Sequence, residues 1–157
     1  MNTLRLRFEP IITTLFRSWW RISRPVTLGV RAAACDEHGR VMLVRHSYLR
    51  GWHLPGGGVE HRESAAEAIK REMREEAGID ADAPPVLAAL YWNHANFKND
   101  HIALYRFESW RPCAPRPGEE IAERGFFALD ALPEGTTPAT RRRLNELFAG
   151  APLSETW

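Results

Sequence analysis

The sequence predicts an α+β or α/β sandwich organised as one domain around one core. Two observations carry this. Strand-like segments lead the chain, and one helix-forming segment falls in the middle with a second near the end, so helices and strands must share a core. With 157 residues the chain can bury one core and a modest pocket, but not two full domains.

The first segment, residues 1–24, places apolar residues at Leu4, Phe8, Ile11, Ile12, Leu15, Phe16, Trp19 and Ile22, spaced three and four apart along one helical stripe. Pro10 suits a first helical turn, and Pro25 marks the stop. Arg5, Arg7, Arg17, Arg21 and Arg24 fall on the polar side. Such an amphipathic helix can pack on the domain or on a second copy in a homodimer, or make peripheral contact with an anionic membrane. The remainder, 25–157, forms the domain proper.

Val26 to Asp36 is β-branched or small, Asp36 to Gly39 supplies turn chemistry, and Arg40 to Arg45 resumes as a strand, so a hairpin is expected. Gly51 to Gly58 is a glycine-rich loop. From Arg62 to Ala77 the composition turns to strong helix formers, with Gly78 in the C-cap position. Strands follow near Val86 to Trp92 and His101 to Trp110, separated by a polar turn from Asn93 to Asp100. Arg111 to Gly118 is rich in proline and reads as a loop. A strand near Ile121 to Leu129 and a helix from Pro138 to Phe148 complete the chain.

Lys plus Arg (21) nearly balances Asp plus Glu (20), so the broad basic field that polymeric nucleic acid requires is missing. Cys35 and Cys113 lack metal spacing and are expected as reduced thiols in a cytoplasmic protein, Cys35 inside a buried strand. No apolar run approaches the roughly 20 residues of a membrane span, and Arg17 and Arg21 sit where a signal peptide would need small neutral residues.

The chemistry concentrates in the central helix. Ala66, Ile69, Met73 and Ala77 mark the face that meets the sheet. Glu72 and Glu76, one turn apart, lie on the shoulder of that face with Glu75 beside them. Like charges so placed repel, and partial burial raises the cost unless something neutralises them. A solvated acidic face paired with Lys70, Arg71 and Arg74 is one solution; a divalent cation, Mg2+ or in its place Mn2+, is another. Gly56, Gly57 and Gly58 favour the second, because backbone without side chains can approach an anion or a metal closely.

The segment Gly57-x5-Glu63-x7-Arg71-Glu72-Met73-x-Glu75-Glu76-x-Gly78-Ile79 resembles the complete signature box of the Nudix hydrolases. Met73, unbranched where the family usually has a branched aliphatic residue, is the mildest departure. Trp52 to Gly56 before the box and Phe126 to Pro133 after it are softer likenesses. The resemblance implies an α/β/α sandwich on a mixed sheet, here with the extra N-terminal helix. It further implies Mg2+-dependent hydrolysis of a nucleoside diphosphate linked to another moiety. It makes Glu72, Glu75 and Glu76 metal ligands, with a carbonyl at Gly56, and has Arg71 and Glu63 orient the carboxylates, Glu63 through an ion pair with Arg71. A further metal ligand or general base is expected from Glu119 or Glu120.

Outside the box, Arg45, Trp52, His53, Tyr91 and Phe97 are candidates for binding a nucleotide-like small molecule, Arg45 through a terminal phosphate and the aromatics by stacking a base. Trp92, His94, Asn96 and His101 fall in the same region, with His94 and His101 expected as polar loop residues. A binding module that reads a nucleotide without cutting it is the alternative to an enzyme.

Overall fold

The computed structural model describes Trp19, residues 26–116 and residues 120–157. Apart from Trp19, which is helical and exposed, the expected N-terminal helix lies outside the described residues, as does Glu119. Two buried clusters sit on opposite faces of a mixed sheet. Strand β1 (Thr27–Ala34) runs parallel to β5 (Asp100–Phe107), and β4 (Val86–Trp92) runs antiparallel to β5. Strand β2 (Val41–His46) pairs antiparallel with β7 (Ile121–Phe127), and the short β3 (Ile79–Ala81) with β6 (Trp110–Pro112).

Alternation along β1 and β5 sorts the core. Val30, Ala32, Ala103, Tyr105 and Phe107 meet helix α1 (Ala65–Glu72) through Ala68, Ile69 and Met73. Ala33, Leu104 and Tyr91 face the other way, toward Leu144 of helix α2 (Pro138–Phe148). The result is the α/β/α layering expected from the sequence.

Helix α1 starts at Ala65 rather than Arg62. Arg62 is in the left-handed region (φ 65°), and Ser64 closes a capping box: its Oγ accepts from the Glu67 N–H at 3.2 Å, while the Glu67 carboxylate accepts from the Ser64 N–H at 2.8 Å. The helix then widens into a π turn, Met73–Ala77, which Gly78 ends in the left-handed conformation (φ 67°) with its N–H on the Met73 carbonyl. The buried face holds Ala68, Ile69, Met73, Glu76 and Ala77, whereas Ala66, expected there, is only half-buried.

Four further expectations need correction. The β1–β2 hairpin exists only at its base, where Asp36 N–H donates to the Arg40 carbonyl at 2.9 Å, and the two strands then diverge. The glycine-rich loop takes their place as neighbour: Val30 N–H donates to Gly57 O (2.8 Å) and Ala32 N–H to Pro55 O (3.0 Å), while Val44 and His53 exchange two bonds. The predicted strand His101 to Trp110 breaks after Phe107; Trp110, Arg111 and Pro112, the last two expected in a loop, form β6. His101 belongs to β5, not to a loop, and Cys35 is half-buried at the end of β1.

Candidate active site

The π turn delivers its glutamates into a cavity of about 340 Å³ lined by Glu72, Glu75, Glu76, Arg116, Glu120, Ile121 and Arg124. Glu76 is 8% exposed, and burial pushes its carboxyl up to about 7. One carboxylate oxygen accepts from the Gly56 N–H at 2.8 Å; the other lies 3.7 Å from His46 Nε2. His46 is itself buried, which drives it down to about 4, so both groups are held toward their neutral forms.

Glycines make room for these carboxylates. Gly56 has φ 139°, and a side chain there would strike the Val30 carbonyl. At Gly57 an added Cβ would occupy the position of the Glu72 carboxylate. The loop approaches carboxylates this closely because it carries no side chains.

Arg71 organises the rim. Its Nε and Nη2 donate to the two Glu63 oxygens at 2.9 and 3.0 Å, its Nη1 donates to Glu72 at 2.7 Å, and Glu75 lies 3.6 Å away. The expected Glu63–Arg71 ion pair is therefore formed, in bidentate geometry. Glu63 more than any other group holds Arg71 above its ordinary pKa. Burial raises Glu72, with Arg71 opposing. Arg116, carried beside the π turn by a bond from its N–H to the Glu75 carbonyl, reaches the Glu75 carboxylate at 3.1 Å.

A second depression, about 680 Å³, runs along β1 and includes Leu28, Arg31, Gly57, Val59, Phe97 and Ile102 in its lining. Phe97 stands out over it, 68% exposed, on a turn fixed by the Asn93 carbonyl, which accepts from the Asn96 and Phe97 N–H groups. Of the substrate-binding candidates, Phe97 alone lines either depression.

The remaining candidates have other uses. Trp52 is in the core, edge-on to Phe127 at 4.8 Å, because its N–H and carbonyl are tied to Gly135 and Thr137 ahead of α2. Tyr91 is fully buried, its hydroxyl donating to Glu146 at 2.7 Å. Arg45 pairs with Glu123 across β2 and β7, and His53 Nε2 lies 3.0 Å from the Arg50 carbonyl. Trp92 and His94 stack on one another at 4.6 Å on the surface, and Asn96 donates to Asn93 at 2.8 Å.

Sequence reasoning missed Arg31, His46, Tyr48, Arg116 and Arg124. Tyr48 lies 5.3 Å from His46, ring to ring. Arg31 feels Glu76 and Glu72 electrostatically, although burial pulls it down. Isolated in strand or loop segments, these residues gave no periodic signal; a charged residue inside the apolar run of β1 was the one available hint.

The donor set fits a hard cation in chemistry: several carboxylate oxygens, two of them raised by burial in a way a positive charge would relieve. Among the described residues no group of three acidic, histidine or cysteine side chains is already gathered around one point. Arg71 and Arg116 instead hold the Glu72 and Glu75 carboxylates, and a cation at these groups would compete with them.

The comparisons with known proteins converge on one family. The NUDIX domain model matches residues 25–148. The crystal structure of a MutT NUDIX hydrolase from Burkholderia pseudomallei aligns with TM-score 0.65 at 29% identity, over 78% of this chain and 98% of that one. An 8-oxo-dGTP diphosphatase from Proteus vulgaris is 34% identical over 77 residues, 46% of this chain and 66% of its own length. An RNA pyrophosphohydrolase from Shewanella piezotolerans is 40% identical over 55 residues, 35% of this chain and 32% of its own length. Among the described residues no helix is long and apolar enough to cross a membrane. On the family match over most of its length, and on a signature box whose Glu72, Glu75 and Glu76 line one cavity, the chain belongs to the Nudix hydrolase family.

Proposed function

We infer that the protein hydrolyses the diphosphate linkage of a nucleotide-like small molecule with Mg2+, for which Mn2+ can substitute, held by Glu72, Glu75 and Glu76 and the Gly56 carbonyl. The observation that carries this reading is the convergence of those three carboxylates with Glu120 on one cavity, with Glu76 buried at its wall. The relatives' names, a diphosphatase and a pyrophosphohydrolase, support a phosphate anhydride as the bond cut. Free Cys35 and Cys113 support a reducing, cytoplasmic setting.

The bound cation supplies charge neutralisation at the phosphates and a lowered pKa for attacking water. Hydrolysis forms a bond from the water oxygen to phosphorus and breaks the bridging P–O bond, whose electron pair stays with the departing phosphate. Glu120 is our candidate for taking the water's proton; it lines the cavity, and among the described residues no ion pair holds it. Glu63 and Arg71 position Glu72 through the bonds described above.

The test is release of phosphate, pyrophosphate or nucleoside monophosphate from a panel of nucleoside diphosphate derivatives, with Mg2+ and with chelator. Cleavage that chelator abolishes and Mg2+ restores is expected. Nucleotide binding by calorimetry with no cleavage of any compound would instead make the protein a sensor.

A further inference from the structure

His46, the last residue of β2, is buried beside Glu76. Three sets of contacts fix where it stands. It pairs with Ile121 at an irregularity in the β2–β7 ladder, and the next residue, Ser47, donates its N–H to the Glu120 carbonyl at 2.8 Å. The rings of Tyr48 and His53 pack against the imidazole at 5.3 and 5.8 Å. The histidine thus meets Glu76 on a frame shared with Glu120 and Ile121, both of which line the carboxylate cavity.

The two ring nitrogens have different surroundings. Nδ1 is buried and has no hydrogen-bond partner among the described residues, whereas Nε2 faces Glu76 Oε1 at 3.7 Å. An imidazolium would bury a charge together with an unpaired N–H at Nδ1, which is costly. The Nδ1–H tautomer would bury the same unpaired donor and aim the Nε2 lone pair at a carboxylate oxygen, acceptor against acceptor. The Nε2–H tautomer avoids both. It leaves only a lone pair at Nδ1 and points its donor at Glu76.

We propose that His46 is a positioning residue for Glu76: its Nε2–H holds Oε1 of the ionised carboxylate while the Gly56 N–H holds Oε2, so that the carboxylate is oriented before a cation binds. This rests on the hydrolase reading above, which makes Glu76 a cation ligand. A separation of 3.7 Å exceeds hydrogen-bond length, and a closure of about 0.8 Å brings it to the usual distance. Each carboxylate oxygen has two lone pairs, so one donor on each leaves the other pair for the cation. A ligand oriented from behind gives up less side-chain freedom when it binds metal.

The experiment compares wild type, His46→Leu, which removes the donor, and His46→Gln, whose amide can return an N–H near the Nε2 position, all full chain. In chelator at neutral pH, the nitrogen NMR spectrum of wild type should show His46 protonated at Nε2 and bare at Nδ1. Mn2+ affinity, read by calorimetry, should fall about tenfold or more in His46→Leu, the range for losing a group that orients a metal ligand, and recover most of the way in His46→Gln. Cleavage of a nucleoside diphosphate derivative at saturating Mg2+ should lose kcat in the same order, with KM for the derivative little changed. A proton on Nδ1 with Nε2 bare would mean that Glu76 donates to the histidine, and would overturn the proposal. So would a His46→Leu variant with wild-type Mn2+ affinity, or a His46→Gln variant as impaired as His46→Leu, which would make the ring a packing residue only. Mn2+ binding that depends on His46 in this way, in a wild type that cleaves nothing, would overturn the hydrolase reading and leave His46 positioning Glu76.

Discussion

Glu76 is a carboxylate that the fold holds away from water, with the Gly56 N–H on one oxygen and His46 near the other. Burial raises it to about 7. Replacing it by Gln keeps the shape and removes the charge, so turnover at saturating Mg2+ should fall at least about a hundredfold, the lower range for lost acid–base or electrostatic assistance. Near-normal turnover would take Glu76 out of the reaction. Stability should move the other way. A carboxyl raised in the folded state binds its proton more tightly there than in the unfolded chain, so its contribution is present below its ordinary value of 4.5 and lost as pH rises through about 7. In chelator, Glu76→Gln should therefore melt progressively higher than wild type as pH goes from 5 to 8. A melting difference that does not change with pH would mean that the carboxyl titrates normally.

At the scale of elements, the loop and the π turn are matched pieces, and two glycines separate their roles. Gly56→Ala puts a methyl against the Val30 carbonyl at φ 139°, backbone against backbone, which cannot yield cheaply. It should cost about 1–3 kcal/mol of stability, read by denaturant unfolding. Gly57→Ala meets the end of a flexible side chain, the Glu72 carboxylate, so the fold should stand within about 1 kcal/mol of wild type while cleavage drops sharply. Equal effects on stability from both substitutions would show that the loop does not discriminate in this way. This division also explains what could be read from the sequence. Glu72, Glu75 and Glu76 share one helix and its π turn, so spacing alone brought them together, and Gly78 and Pro138 punctuated the helices as expected. Arg31, His46 and Arg124 come from β1, β2 and β7, and their places around the glutamates depend on strand pairing, which local periodicity does not encode. The hairpin expectation failed for the same reason: turn chemistry at Asp36 to Gly39 is real, but the backbone of Pro55, Gly57 and Val59 competes for the edge of β1 and wins. Trp52 and Tyr91 were drawn toward the substrate by their type, whereas their alternation within the second core decided their place.

For the whole molecule, the sandwich must be closed on the α2 side as firmly as α1 closes the other, and there a charged cluster sits within the core. Arg143, fully buried, donates to Glu146 Oε1 at 2.7 Å and to the Thr156 carbonyl at 2.9 Å, with its guanidinium 4.0 Å from the Tyr91 ring centre. Tyr91 donates to the other Glu146 oxygen, and Trp157 packs edge-on to Tyr91 at 5.5 Å while its N–H bonds the Trp92 carbonyl. One arginine thus ties α2, β4 and residues 154–157 into a single unit. Removing a single partner from a buried ion pair leaves the other charge without compensation, so Arg143→Met should cost about 3–5 kcal/mol and lower the melting temperature by on the order of 10 °C. The double variant Arg143→Met with Glu146→Leu removes both charges and should regain much of that loss. None of these side chains lines either depression, so kcat measured well below the melting transition should stay close to wild type in both variants. A single variant that melts like wild type would show the cluster to be incidental to stability, and one that melts normally but has lost turnover would mean that the α2 side communicates with the glutamates through the sheet.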